Sequence, residues 1–128
     1  PHPKEARHSE ERGSVIVVLA TDVPLESRQL KRIARRAGAG LARLGAYYGN
    51  GSGDIALAFS TACKIAHFEE GDFVVRDILK EDKIDVLFQA AAETTQEAVL
   101  NAMIASPAMR GRGRSKRPSL ADWLDGRA

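Results

Sequence analysis

The stretch that decides the fold is RGSVIVVLATD, Arg12–Asp22. Before it runs a polar lead with two prolines, PHPKEARHSEERG, ending at Gly13. After Ser14 the chain turns abruptly apolar and β-branched. Val15-Ile16-Val17-Val18-Leu19-Ala20 predicts a short strand buried on both faces. Thr21-Asp22-Val23-Pro24 punctuates it. Ser14 therefore stands at the seam between a loop and a core strand, where a serine is either a turn residue or a nucleophile.

Working outward, Leu30, Ile33, Ala34, Ala37 and Leu41 recur at helical spacing from Ser27 onward. Arg28, Lys31, Arg32, Arg35 and Arg36 fall on the opposite face, so one amphipathic helix is predicted. Gly38 and Gly40 weaken its second half and leave room for another backbone to come close. GNGSGD, Gly49–Asp54, is a dense turn signal, and Ile55–Thr61 reads as a second buried strand. Phe73-Val74-Val75 reads as a short third strand. Ile84 to Ala105 is the strongest helix, with an apolar stripe that includes Leu87, Phe88, Ala91, Val99 and Met103, and Pro107 blocks its continuation. A basic Gly/Arg/Ser linker follows, then a short segment, Leu120 to Leu124, whose Trp123 is expected to dock on the body. Strand, helix, strand and long helix predict an α/β domain, layered in the α+β manner.

At 128 residues, with 44% hydrophobic and 28% charged residues, the chain has the composition of one globular domain. It opens on Pro1, which suggests a processed product or part of a longer polypeptide. No apolar run approaches the ~20 residues that cross a bilayer, and no signal pattern is visible, so no membrane partner is expected. The expected location is the cytoplasm, or the periplasm if a signal precedes Pro1. Cys63 is the single cysteine, which excludes a disulfide framework or a thiol-rich metal site within the chain. The net charge is +2, concentrated in the helix cluster already named and in Arg110, Arg112, Arg114, Lys116 and Arg117. Both clusters read most simply as solvated surface. A basic nucleic-acid-binding module is the alternative, and the lack of aromatic residues beside either cluster argues against single-strand stacking.

The histidines limit the chemistry. His2 and His8 lie in the polar lead, and His67 stands alone in a charged loop, so nothing local recommends a Ser-His-Asp triad. No HxxxH, CxxC or carboxylate–histidine spacing points to a metal. GNGSGD lacks the Lys-Ser/Thr ending of a phosphate-cradling loop and precedes a strand, which disfavours nucleotide binding. A serine without a histidine needs another base. One source is its own α-amine, with an unperturbed pKa of about 7.7–8.0, available only if the serine becomes the first residue of a chain. Gly13 before Ser14 suits such a cut, because glycine tolerates the strained backbone of an N-to-O acyl shift. Gly-Ser is also a common loop dipeptide, and the residues alone leave both meanings of Ser14 open.

GSVIVVLATDVPL, SRQLKRIARRAGAGLARLG, GNGSGDIALAFST and LFQAAAETTQEAVLNAMIAS together resemble the L-aminopeptidase/D-Ala-esterase/amidase family and its β-peptidyl aminopeptidase relatives. The similarity runs from Gly13 to about Ala108 in the same order, and is weakest over Lys64–Asp82 and the Arg-rich tail. It implies a precursor that cuts itself before a serine into an α-chain and a β-chain, the β-chain's new N-terminal serine being the nucleophile. It implies an αββα four-layer sandwich resembling N-terminal-nucleophile hydrolases, and a tetramer of α/β pairs. It implies release of N-terminal residues from peptides, amides or esters through an acyl-enzyme, without a cofactor.

On that resemblance Ser14 matches the nucleophile, Gly13 the residue before the cut, and Ser52 and Asp54 a second serine and its acidic partner. The latter two are placed to orient the Ser14 hydroxyl and hold its ammonium, and Asn50 is a candidate support of the same loop. Capping of the turn ahead of the strand is the simpler use of Ser52 and Asp54. Residues 1–13 then correspond to the end of the α-region, 14–108 to the catalytic β-chain core, and 109–128 to a basic linker and tail. The α-chain, implied to supply much of the substrate pocket and part of the oxyanion hole, lies outside this sequence. A non-catalytic fragment lacking that partner is the second alternative, and the isolated chain, with Gly13 still attached to Ser14, is expected to be inactive.

Overall fold

A computed structural model describes residues 13–62, 64–68, 71–113 and 116–126. The lead with His2 and His8, Cys63 and Arg114 lie outside these described residues. β1 (Ser14–Thr21) is followed by α1 (Ser27–Ala34), α2 (Ala37–Ala42) and β2 (Gly53–Ser60). A 3₁₀ turn, Glu81–Lys83, leads into α3 (Asp85–Ala105). A two-residue antiparallel ladder, β3 (Met109–Arg110) with β4 (Lys116–Arg117), and α4 (Leu120–Leu124) complete the order. Helices and strands alternate, as expected of an α/β chain.

β1 and β2 pair in parallel, from Ser14 opposite Gly53 to Thr21 opposite Ser60, with α1 and α2 forming the crossover that a parallel pair requires. The side of β1 carrying Val15, Val17 and Leu19 is partly covered. Leu25, Ile33 and Ala91 form the buried centre, and Leu19, Leu30, Ala58, Leu87 and Phe88 pack against it. The basic residues in and just after α1 do more than face solvent. Arg28 and Arg32 both pair with Glu81, and the Arg32 and Arg36 guanidiniums lie 4.9 and 3.9 Å from the centre of the Phe88 ring. These contacts tie α1 to the 3₁₀ turn and to α3.

Five features depart from the expectations. The single helix after Ser27 is two, because Arg36 N–H bonds back three residues to Ile33 (2.8 Å) and turns the chain just before Gly38 and Gly40, the weak helix formers of α2. That turn sets α2 against α3, where a Cβ on Gly40 would overlap the Ala92 carbonyl oxygen and lie 2.8 Å from Thr95 Cβ. Phe73–Val75 form no strand, since no neighbouring strand offers them ladder partners, and all three are exposed. The α3 stripe is buried only in its first half, through Ile84, Ala91, Ala92 and Thr95, whereas Ala98, Ala102 and Met103 are exposed. Trp123 lines a shallow hollow with Met103 and Ser106 yet stays largely exposed.

The fifth departure concerns the strands. They are covered on one face, not two. Ile16 (69% exposed), Val18 (58%), Ile55 (57%), Leu57 (56%) and Phe59 (48%) lie uncovered. Strand alternation gathers them on one side of the sheet, while Val15, Val17 and Ala58 face the helices.

Candidate active site

The parallel register brings together the two short motifs singled out in the sequence. Ser14, first residue of β1, lies opposite Gly53, first residue of β2, so Ser52 and Asp54 flank its partner. The Gly53 backbone N–H donates to Ser14 Oγ at 3.1 Å. A turn closed by Ser52 N–H donating to the Gly49 carbonyl (2.9 Å) delivers β2 to this position. Asn50 sits exposed in that turn.

Ser52 Oγ donates to the Asp54 carboxylate, 3.2 and 3.1 Å from its two oxygens. Among the described residues no hydrogen bond runs directly between Ser14 Oγ and either Ser52 or Asp54. With Gly13 attached, a backbone amide holds the Ser14 hydroxyl, and the second hydroxyl is turned to the acid. Alternation places Asp54 with Val15 on the helix side of the sheet and Ser14 with Ile16 on the open side. Gly13 is exposed, and a Cβ there would meet nothing within 4 Å, so the Gly13–Ser14 bond is accessible. His67 is exposed in the loop after β2, with its ring edge-on to Phe68 at 4.5 Å between centres.

Tyr48 belongs to this site and carried no sequence signal of its own. Its backbone is left-handed, with φ at 55°. Its phenol seats against α2 at Gly38, where an added Cβ would overlap the hydroxyl oxygen and stand 3.2 Å from Cζ. Gly38 thus accommodates a side chain, where the sequence suggested a backbone. Tyr48 and Asp54 share the wall of a cavity of about 110 Å³ with Val15, Ala37 and Ile55. Burial first, and then the nearby Asp54 carboxylate, push the phenol above the ordinary tyrosine range, so it stays protonated.

A serine hydroxyl at a strand end, an accessible Gly-Ser bond and a serine–aspartate pair at the start of the adjoining strand are a set of groups suited to acyl transfer. Among the described residues, no group of three or more His, Cys, Asp or Glu side chains forms a metal cluster, and no helix is long and apolar enough to cross a membrane.

The chain is similar to several known proteins. Residues 2–117 match the model of peptidase family S58. The chain is 43% identical over 99 residues to a beta-peptidyl aminopeptidase of Sphingosinicella microcystinivorans, covering 77% of this chain and 25% of that protein. A Burkholderia beta-aminopeptidase superposes with a TM-score of 0.77 at 36% identity, covering 94% of this chain and 36% of the other. The L-aminopeptidase D-Ala-esterase/amidase of Ochrobactrum anthropi superposes with a TM-score of 0.76 at 40% identity, over 89% of this chain and 34% of the other. That enzyme is described as a prototype for the serine aminopeptidases and a variant of the Ntn hydrolase fold. The chain thus spans about a quarter of the curated relative and about a third of these solved ones. On its match over nearly its whole length, the chain belongs to peptidase family S58.

Proposed function

We propose that this chain is the nucleophile-bearing β-part of a self-cleaving serine aminopeptidase or amidase. The observation that carries it is the register of the parallel pair: Ser14, with its accessible Gly13 bond, lies directly across from the Ser52–Asp54 turn. The family and the relatives' aminopeptidase activity support the reading.

In self-cleavage, Ser14 Oγ attacks the Gly13 carbonyl carbon. The amide C–N bond breaks as the ester forms, and the Oγ proton passes to the departing Ser14 nitrogen. Water then hydrolyses the ester, leaving a Gly13 carboxylate and restoring the Ser14 hydroxyl beside a free amine. In turnover that amine takes the Oγ proton as Oγ attacks a substrate carbonyl, and returns it to the leaving group. Water releases the acyl group in the second half-reaction. The Gly53 N–H steadies Oγ and stabilises the charge that develops on it. The Ser52–Asp54 pair offers its carboxylate to the freed ammonium, which favours the charged amine, so burial by the rest of the protein must offset it for the amine to act as base.

The bare sheet face is consistent with the same reading. Five large apolar side chains uncovered on one face suit a second sheet laid against them, as in an αββα sandwich completed by an α-chain from the same precursor. A tetramer of such α/β pairs and peptide, amide or ester substrates belong to this proposal, as does the division at Gly13–Ser14. The decisive chemistry is the acyl-enzyme. Acid-quenching the full-length protein during turnover of an aminoacyl ester is expected to leave the acyl mass on the peptide that begins at Ser14. An adduct on any other residue rejects Ser14 as nucleophile.

A further inference from the structure

Tyr48 is held in an unfavourable backbone conformation beside the Ser52–Asp54 pair. A non-glycine residue at φ 55° is unfavourable, and such residues persist where the surroundings over-determine them. The surroundings are visible. The ring leaves the chain just before the Gly49–Gly53 turn, crosses to α2 and ends with its oxygen in the space left by the missing side chain of Gly38. The residues between Tyr48 and Asp54 include three glycines, Gly49, Gly51 and Gly53, so this turn has little stiffness of its own. Beneath it, Tyr48, Asp54 and Arg35 bring the polar and charged groups to a cavity otherwise walled mainly by Val15, Val17, Ala37 and Leu41.

We infer that Tyr48 and Gly38 form a peg and socket that positions Asp54, making Tyr48 a positioning residue for the reaction begun at Ser14. This rests on the reading of Ser14, Ser52 and Asp54 as the working groups. The peg anchors one end of a glycine-rich turn to α2, while the β1–β2 ladder anchors the other, so the carboxylate has a single place to stand. Loss of the ring frees the turn. Filling the socket drives the ring out and shifts the turn, although every working side chain is still present.

The test uses the full-length precursor and follows the rate of cleavage at Gly13–Ser14, with kcat and KM of the matured enzyme. Tyr48→Gly relieves the backbone strain but removes the peg, and is expected to slow cleavage and lower kcat by tenfold or more with little change in KM. Gly38→Ala is expected to do the same, because its methyl meets the phenol oxygen. Once Tyr48→Phe has removed that oxygen, Gly38→Ala should have little further effect, since the nearest ring carbon then lies 3.2 Å away and need yield only slightly. Thermal melting of each variant separates folding from positioning, and if Gly38→Ala does not fold, Tyr48→Gly and Tyr48→Phe decide the matter. Wild-type cleavage with equal rates in all folded variants overturns the peg and socket and leaves the proposed function standing. Additive effects of Gly38→Ala and Tyr48→Phe also overturn it. An uncut wild-type precursor overturns both proposals.

Discussion

Ser14 and Gly53 face each other across the parallel strand pair, and the Gly53 backbone N–H donates to Ser14 Oγ at 3.1 Å. A Cβ on Gly53 would stand 3.4 Å from that oxygen, in ordinary contact with it, so a methyl fits there and a larger side chain does not fit as freely. Gly53→Val is expected to crowd the hydroxyl. Overpacking of this kind costs about 1–3 kcal/mol, or about 5- to 150-fold in rate. The measurement is the self-cleavage rate of the full-length protein, which Gly53→Ala should reduce far less.

Asp54 accepts the Ser52 hydroxyl and is the acid nearest in register to Ser14, whose nitrogen the proposed cleavage would free as an amine. Asp54→Asn keeps the size and removes the charge. If it governs the proton balance of that amine, kcat falls by about 10²–10⁴-fold. Ser52→Ala removes a single hydrogen bond worth about 1 kcal/mol, and a loss of roughly five- to tenfold is expected. Steady-state kinetics on an aminoacyl amide compare the two, and equal effects would argue that they act only as turn caps.

Gly40 is where α2 meets α3, and a methyl there overlaps the Ala92 carbonyl oxygen, a backbone atom that cannot swing aside. Gly40→Ala is therefore expected to destabilise by about 1–3 kcal/mol despite the better helix propensity of alanine. Differential scanning calorimetry tests this, and an unchanged melting temperature would mean that the two helices separate easily.

Glu81 receives Arg28, Arg32 and the buried Gln29. Desolvation raises its carboxyl, but the hydrogen bonds from Arg32, Gln29 and Arg28 outweigh that and hold it below the usual glutamate value. A depressed carboxylate contributes its stability above the unfolded pKa of about 4.3 and loses it as pH falls through the folded value. Wild type should melt above Glu81→Gln at pH 7, and the gap should close as pH drops below about 4. A gap independent of pH would contradict a charge-based role.

Much of this was legible in the chain. β-branched Val15–Ala20, the helical stripe from Ile84 and the Gly49–Asp54 turn each state a local preference that packing reinforces. What the sequence concealed depends on contacts between distant parts. The break at Arg35–Arg36 follows from α2 turning onto α3 through Gly40, and a continuous helical periodicity spans it without trace. Strands rich in valine and isoleucine read as buried on both faces, because hydrophobicity does not say whether the cover lies in the same segment. The Ser14–Gly53 register required two motifs 39 residues apart to be paired, and no local pattern encodes that. Tyr48 was hidden because its role lies in a fit to Gly38, which becomes apparent only when α2 and the turn are brought together.

The central claim is that Ser14 becomes the first residue of its own chain. Intact mass and N-terminal sequencing of the full-length precursor test it most directly. Wild type should yield a fragment beginning SVIVV, while Ser14→Ala stays whole. A wild-type protein that remains a single uncut chain under conditions where it hydrolyses substrate would contradict the account.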